Sequence, residues 1–213
     1  VTGDGNTAIA NFGTFTQTGG IIDVSGKDSI GIYAKDSSSS TTITGSTVNA
    51  KNGAVAFYAD GSSGNESTIT LNNVISNIGD GGLLFFSYTG TLPGQVGKFN
   101  ISGPTTVNIL SGGVAFYNRG IIGSEATFLN MVNGNNLTLN MSSGSRLFVF
   151  DNPATTENLS SIPSLGGVPS ISNSSGTATI TVNGSDYKYM TANKATLNID
   201  QNVNLDSSGD SYY

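Results

Sequence analysis

The stretch Gly113-Val114-Ala115-Phe116-Tyr117 decides how the chain is read. It returns with changes as Ser29-Ile30-Gly31-Ile32-Tyr33, Ala54-Val55-Ala56-Phe57-Tyr58, Gly82-Leu83-Leu84-Phe85-Phe86 and Arg146-Leu147-Phe148-Val149-Phe150. The last aromatic falls at 33, 58, 86, 117 and 150, so the spacing grows from 25 to 33 residues. Self-similarity at a period in this range is the signature of a stacked repeat architecture. The growing spacing predicts one structural unit with loops of different length set into it.

Two more short patterns lie between successive aromatic stretches. One repeat reads Lys98-Phe99-Asn100-Ile101, then Val107-Asn108-Ile109, then the stretch from Gly113. Each alternates apolar residues with Asn or Thr, the period-two pattern of a strand with one dry and one wet face. Gly, Ser and Asn separate the strands, as turns require. No segment keeps a helical apolar period. The chain is therefore expected to be all-β, a right-handed parallel β-helix of about six three-strand turns.

The alternation places Ile22, Val24, Ile43, Val48, Ile69, Leu71, Phe99, Ile101, Val107, Ile109, Leu129, Met131, Leu137, Leu139, Leu197 and Ile199 inside. In the third strand Ile30, Ile32, Val55, Phe57, Leu83, Phe85, Val114 and Phe116 are expected to share that inner face. Tyr33, Tyr58, Phe86, Tyr117 and Phe150 then form an aromatic column pointing outward or sitting at a corner. With Leu84 and Phe148 beside it, that face reads as apolar on both sides, either stacked structurally or covered by a partner.

Three segments follow. Residues 1–150 read as β-helix turns. Residues 151–194 hold Pro153, Pro163, Pro169 and a Ser-rich run, then a hairpin pattern from Thr177 to Met190 around Asn183-Gly184. They read as an insertion, folded as a lateral flap of Tyr187, Tyr189 and Met190 over the aromatic face. Residues 195–213 read as a further, truncated turn, with Tyr213 over Phe150. Both ends are expected to be cuts through a larger protein.

Composition narrows the chemistry. The chain has no Cys and no His, which removes disulfides, thiolate metal sites and histidine-based catalysis. Its net charge of −6 disfavours binding nucleic acid through a basic face. A β-helix enzyme would need carboxylates stacked from turn to turn. Asp36 and Asp60 are the nearest candidates, but Tyr88 and Arg119 take the equivalent place in the next turns. No catalytic residue, no metal ligand and no cofactor is expected. A flat threonine face of the kind that binds ice would need Thr42 and Thr44 to stack on Thr68 and Thr70, and Lys98 and Asn100 interrupt it.

Gly31-Ile32-Tyr33-Ala34-Lys35-Asp36 and Gly53-Ala54-Val55-Ala56-Phe57-Tyr58-Ala59, in a chain of degenerate Asn/Thr/Gly-rich turns, resemble the passenger region of monomeric bacterial autotransporters. They look most like the large fusobacterial surface adhesins. The resemblance covers nearly the whole chain outside 151–194. It implies export through a C-terminal β-barrel and display of the rod at the bacterial cell surface, outside the outer membrane. It also implies attachment to a host-cell glycan or receptor, or to a partner bacterium. The family has no shared catalytic residues to carry over.

The expectation is a non-catalytic, monomeric adhesin segment that contacts neither nucleic acid nor membrane. Loops on a rigid scaffold usually carry recognition, which points to Tyr88, Thr91 and Leu92 in one loop and to Asn158, Asn173, Tyr187 and Tyr189 in the insertion. A β-helix polysaccharide lyase or glycoside hydrolase, and a structural spacer, are the alternatives.

Overall fold

A computed structural model describes residues 1–35, 39–61, 67–89, 97–120, 132–151, 156–158, 170–172, 178–184, 188–193 and 196–198. Strand β1 (Thr7–Asn11) opens the stack. Four three-strand coils follow: β2 (Thr14–Thr18), β3 (Ile21–Ser25) and β4 (Ile30–Lys35); β5 (Ser40–Thr44), β6 (Thr47–Lys51) and β7 (Val55–Asp60); β8 (Ser67–Asn72), β9 (Ile75–Ile78) and β10 (Leu83–Thr89); β11 (Gly97–Ile101), β12 (Thr105–Ile109) and β13 (Val114–Gly120). Each strand pairs in parallel with its counterpart one coil away, which makes the chain an all-β solenoid. The expected six three-strand turns become four. In the next level β14 (Val132–Met141) alone pairs with both β11 and β12, and β15 (Arg146–Asp151) pairs with β13.

The inner faces pack as the alternation predicts. Val24, Ile43, Val48, Ile69, Leu71, Phe99, Ile101, Val107, Ile109, Leu137 and Leu139 are buried in one core. Ile22 is half-buried against it. Leu129, Met131 and Ile199 lie outside the described residues, and Leu197 is described by its backbone alone. A phenylalanine ladder runs through the middle, with centroids 5.8 Å apart for Phe57–Phe85, 5.6 Å for Phe85–Phe116 and 5.1 Å for Phe116–Phe148.

The third strand departs from simple alternation. Two consecutive residues turn inward in every coil: Gly31 and Ile32, Ala56 and Phe57, Leu84 and Phe85, Ala115 and Phe116, Leu147 and Phe148. The register skips the first of each pair, passing from Ile30↔Val55 directly to Ile32↔Phe57. The strand bends there, so Ile30, Val55, Leu83 and Val114 do not share the inner face with the phenylalanines as expected; Val55 and Val114 are buried yet outside the core cluster. Leu84 and Phe148, expected beside the outer column, are buried in the core instead. The bend also needs small residues just before it. Ser29, Ala54, Gly82, Gly113 and Ser145 fill that column, all of them buried. Their carbonyls accept from the next coil, Val55 N–H to Ser29 at 2.8 Å and Leu83 N–H to Ala54 at 2.8 Å.

The register also moves the end of the aromatic column. Tyr117 pairs with Val149, and Phe150 pairs with Asn118, so Phe150 does not stack over Tyr117. Putting Phe148 over Phe116 keeps the core ladder continuous and fixes this choice.

On the second face the outward residues form a hydrogen-bonded ladder. The side-chain amide of Asn49 donates to Asp23 Oδ1 at 2.7 Å, Asn77 to Asn49 Oδ1 at 2.7 Å, Asn108 to Asn77 Oδ1 at 2.8 Å and Asn140 to Asn108 Oδ1 at 3.0 Å. Asn49, Asn77 and Asn108 each donate in one direction and accept from the other, and the acceptor-only carboxylate of Asp23 ends the row. Such bonds contribute about 0.5–1.5 kcal/mol each and hold neighbouring coils in register.

The hairpin expected from Thr177 to Met190 does not form. Short strands β16 (Thr156–Asn158) and β17 (Ser170–Ser172) precede β18 (Ala178–Gly184), β19 (Lys188–Asn193) and β20 (Thr196–Asn198). Strand β18 runs parallel to β14, and β19 runs parallel to β15, with Met190 in register with Phe148. These strands continue the coil rather than folding over the aromatic face. Strand β17 pairs antiparallel with β18. Strand β20 pairs with β16 instead of extending the main sheets. Tyr213 lies outside the described residues.

On the first face Ser40, Thr42 and Thr44 register with Thr68, Thr70 and Asn72, so Thr42 meets Thr70 and Thr44 meets Asn72 rather than the pairing expected for a threonine face. Lys98 and Asn100 follow beside Thr68 and Thr70.

Candidate functional site: an axial trough on the third face

The bend in the third strand builds a site. The residue before the bend and the residue after the inward pair both face out. Stacked over the coils they give two parallel rows, Ile30, Val55, Leu83 and Val114 in one, and Tyr33, Tyr58, Phe86 and Tyr117 in the other. Most of these, with Asp28 and Arg146 at opposite ends, line an open trough of about 480 Å³. Its far side is made by Gly53, Gly81 and Gly112. All three have φ between +76 and +79, with Gly53 at 79, Gly81 at 76 and Gly112 at 77. The turn into the third strand needs this left-handed backbone, which glycine adopts without the Cβ penalty. The same requirement leaves that wall without side chains.

The aromatic wall is continuous. Exposed Phe12 meets Tyr33 edge-on at 6.3 Å. Tyr33 and Tyr58 are 4.9 Å apart at 51°, Tyr58 and Phe86 4.5 Å apart at 85°, and Phe86 and Tyr117 5.3 Å apart at 22°. Contacts of these kinds each contribute about 0.5–1.5 kcal/mol beyond burial. The four rings remain half-buried rather than covered. At Val149 the wall ends in a buried aliphatic residue, which also lines the trough.

At the rim of this face sits a buried carboxylate. Asp60 is 5% exposed and accepts the Tyr33 hydroxyl at 2.8 Å, with Lys35 Nζ 3.9 Å away. Its backbone neighbours in register are Lys35 on one side and Tyr88, then Arg119, on the other. The column therefore alternates in kind and does not bring a second carboxylate beside Asp60. Asp36 lies outside the described residues. Among the described residues no group of three His, Cys, Asp or Glu could hold a metal ion, and no helix is long and apolar enough to cross a membrane.

Of the expected recognition residues, Thr91, Leu92, Asn173 and Tyr187 lie outside the described residues. Tyr88, Asn158 and Tyr189 are described by backbone alone, in β10, β16 and β19. The structure does bring Tyr33, Tyr58, Phe86 and Tyr117 together as one wall. The aliphatic row and the glycine wall opposite are what sequence reasoning missed. Their signal was present: an apolar residue follows the small corner residue in the first four copies of the repeat.

No family model, curated protein or solved structure matches the chain.

Proposed function

We propose that this chain is a non-catalytic segment of a surface-displayed bacterial adhesin, attaching the cell to host cells or to other bacteria. The trough carries the reading. A groove repeated coil after coil lies outside the core cluster, and a concave site lined mainly by apolar and aromatic side chains is the usual form of a ligand site. The corner between the third strand and the next coil supports it. That connection lengthens from 36–39 to 61–66, 90–96 and 121–131, where insertions are tolerated and recognition is commonly placed. The neighbours of Asp60 favour binding over acid–base chemistry, because Tyr33 and Lys35 already engage its carboxylate.

Flow cytometry of the labelled chain on epithelial cells and on co-aggregating bacteria tests this. Saturable binding, competed by unlabelled chain, is the expected result. Absence of saturable binding to every cell type, with adhesion by the parent cell undiminished when these coils are excised, would make the segment a spacer.

A further inference from the structure

We infer that the trough holds a neutral, extended, β-linked glycan lying along the solenoid axis, one sugar ring per coil. This inference rests on the adhesin reading for its setting and on the following geometry for its ligand.

The site repeats. Three successive coils add the same three parts, an aliphatic floor residue, an aromatic wall residue and a bare glycine opposite: Val55, Tyr58 and Gly53, then Leu83, Phe86 and Gly81, then Val114, Tyr117 and Gly112, with Ile30 beside Asp28 and Arg146 beside Val149 as the flanking rungs. Coils follow one another at the strand spacing of about 4.8 Å, so the floor from Ile30 to Arg146 runs roughly 19 Å. A ligand that uses every rung must be a linear polymer whose repeat matches that step. The rise of an extended β-linked pyranose chain is close to it. A peptide strand rises about 3.4 Å per residue and puts like-facing side chains twice as far apart. Its side chains would fall out of phase with the rungs within two coils. An α-linked, coiling glycan would lift away from a straight floor.

Polarity and charge point the same way. The floor from Ile30 to Val114 and the aromatic wall carry no formal charge, and the opposite charges of Asp28 and Arg146 stand only at the two ends. The chain as a whole is −6, which repels polyanions such as sulfated glycans. A neutral sugar ring offers C–H faces to the aliphatic floor and ring edges to the aromatic wall. The middle of the glycine side leaves room for its hydroxyls, since a Cβ built on Gly81 meets nothing nearer than Gly53 N at 3.9 Å, whereas one on Gly53 or Gly112 would meet backbone at 3.3 Å.

Titration calorimetry of the chain with β-1,4-linked hexasaccharides of glucose, mannose and N-acetylglucosamine tests the inference, with maltohexaose and a heparin hexasaccharide as controls. At least one β-linked hexasaccharide is expected to bind, about tenfold more tightly than its disaccharide. Phe86→Ala is expected to weaken that binding about tenfold. Because that variant could disturb packing, Gly81→Asn is the second probe: it keeps the wall and tolerates the positive φ, and it too should weaken binding. Thr42→Ala, on another face, should not.

Equal or better binding of maltohexaose or heparin would overturn the inference. So would unchanged affinity in both trough variants, or no glycan binding at all. Cell attachment without glycan binding would sink this ligand and leave the adhesin reading standing. Glycan binding without cell attachment would do the reverse.

Discussion

Phe85→Ala is expected to destabilise the solenoid by about 3–5 kcal/mol, read from urea unfolding. Phe85 is 1% exposed and sits at the middle of the core ladder. Its ring meets Phe57 at 5.8 Å, Phe116 at 5.6 Å and Phe99 at 4.4 Å. The first two contacts join its coil to the coils on either side, and the third crosses the core to the first face. Solenoid stability is close to a sum of repeat terms and nearest-neighbour interfaces. Removing one ring therefore weakens two interfaces together. Phe12→Ala removes the same side chain at 60% exposure and is expected to cost less than about 1 kcal/mol. Equal losses for the two would mean that the ladder is not the core.

Gly97→Ala is expected to cost about 3 kcal/mol, because it places an atom where the end of β7 already has backbone. A Cβ at this position would lie 2.0 Å from the Ala59 carbonyl oxygen and 2.5 Å from its carbon. No rotamer relieves a clash with main chain, so the coil must shift and give up stacking. Gly45→Ala is the contrast. Nothing lies within 4 Å of its Cβ, but φ is +60, so only a conformational cost of about 1 kcal/mol applies. Gly13→Ala, with open space and no such φ, should be neutral. Thermal melts should show a drop of about 6–12 °C for Gly97→Ala and about 2–4 °C for Gly45→Ala.

Much of this architecture is legible in the sequence because a solenoid repeats its physics. Alternation in the first and second strands assigns Ile43, Ile69, Phe99 and Val107 to the core without reference to any neighbour. It fails where the strand bends. At Ala56-Phe57 and Leu84-Phe85 two consecutive side chains go inward, and a strict period of two turns Val55 and Leu83 the wrong way. The outer trough is hidden by that single error.

The register of β15 fails for a related reason. Matching the final aromatics pairs Tyr117 with Phe150, whereas matching the small corner residues Gly113 and Ser145 pairs Tyr117 with Val149. Corner residues are the better anchor, since only small residues fit there: Ser29, Ala54 and Ser145 are buried, and a Cβ on Gly113 would lie 2.6 Å from the Ile78 carbonyl oxygen. The hairpin reading fell to the same kind of local signal. Asn183-Gly184 looks like a turn by itself. Yet Thr181-Val182-Asn183 repeats Thr47-Val48-Asn49, Thr106-Val107-Asn108 and Thr138-Leu139-Asn140, the outward-inward-outward triplet of the second face. Read against those copies, β18 is the next strand of the stack.

The account depends most on the register that stacks the third strands, since it sets both the core ladder and the walls of the trough. Paired cysteines test it directly, because the natural chain has none. Neighbouring parallel strands lie about 4.8 Å apart, within the Cα separation that a disulfide spans. Tyr117→Cys combined with Val149→Cys should cross-link on mild oxidation, seen as faster migration without reductant. Tyr117→Cys with Phe150→Cys should not, because the register sets residue 150 beside Asn118, one position farther along the strand. Cross-linking in the second pair and not in the first would contradict the register, and with it the trough.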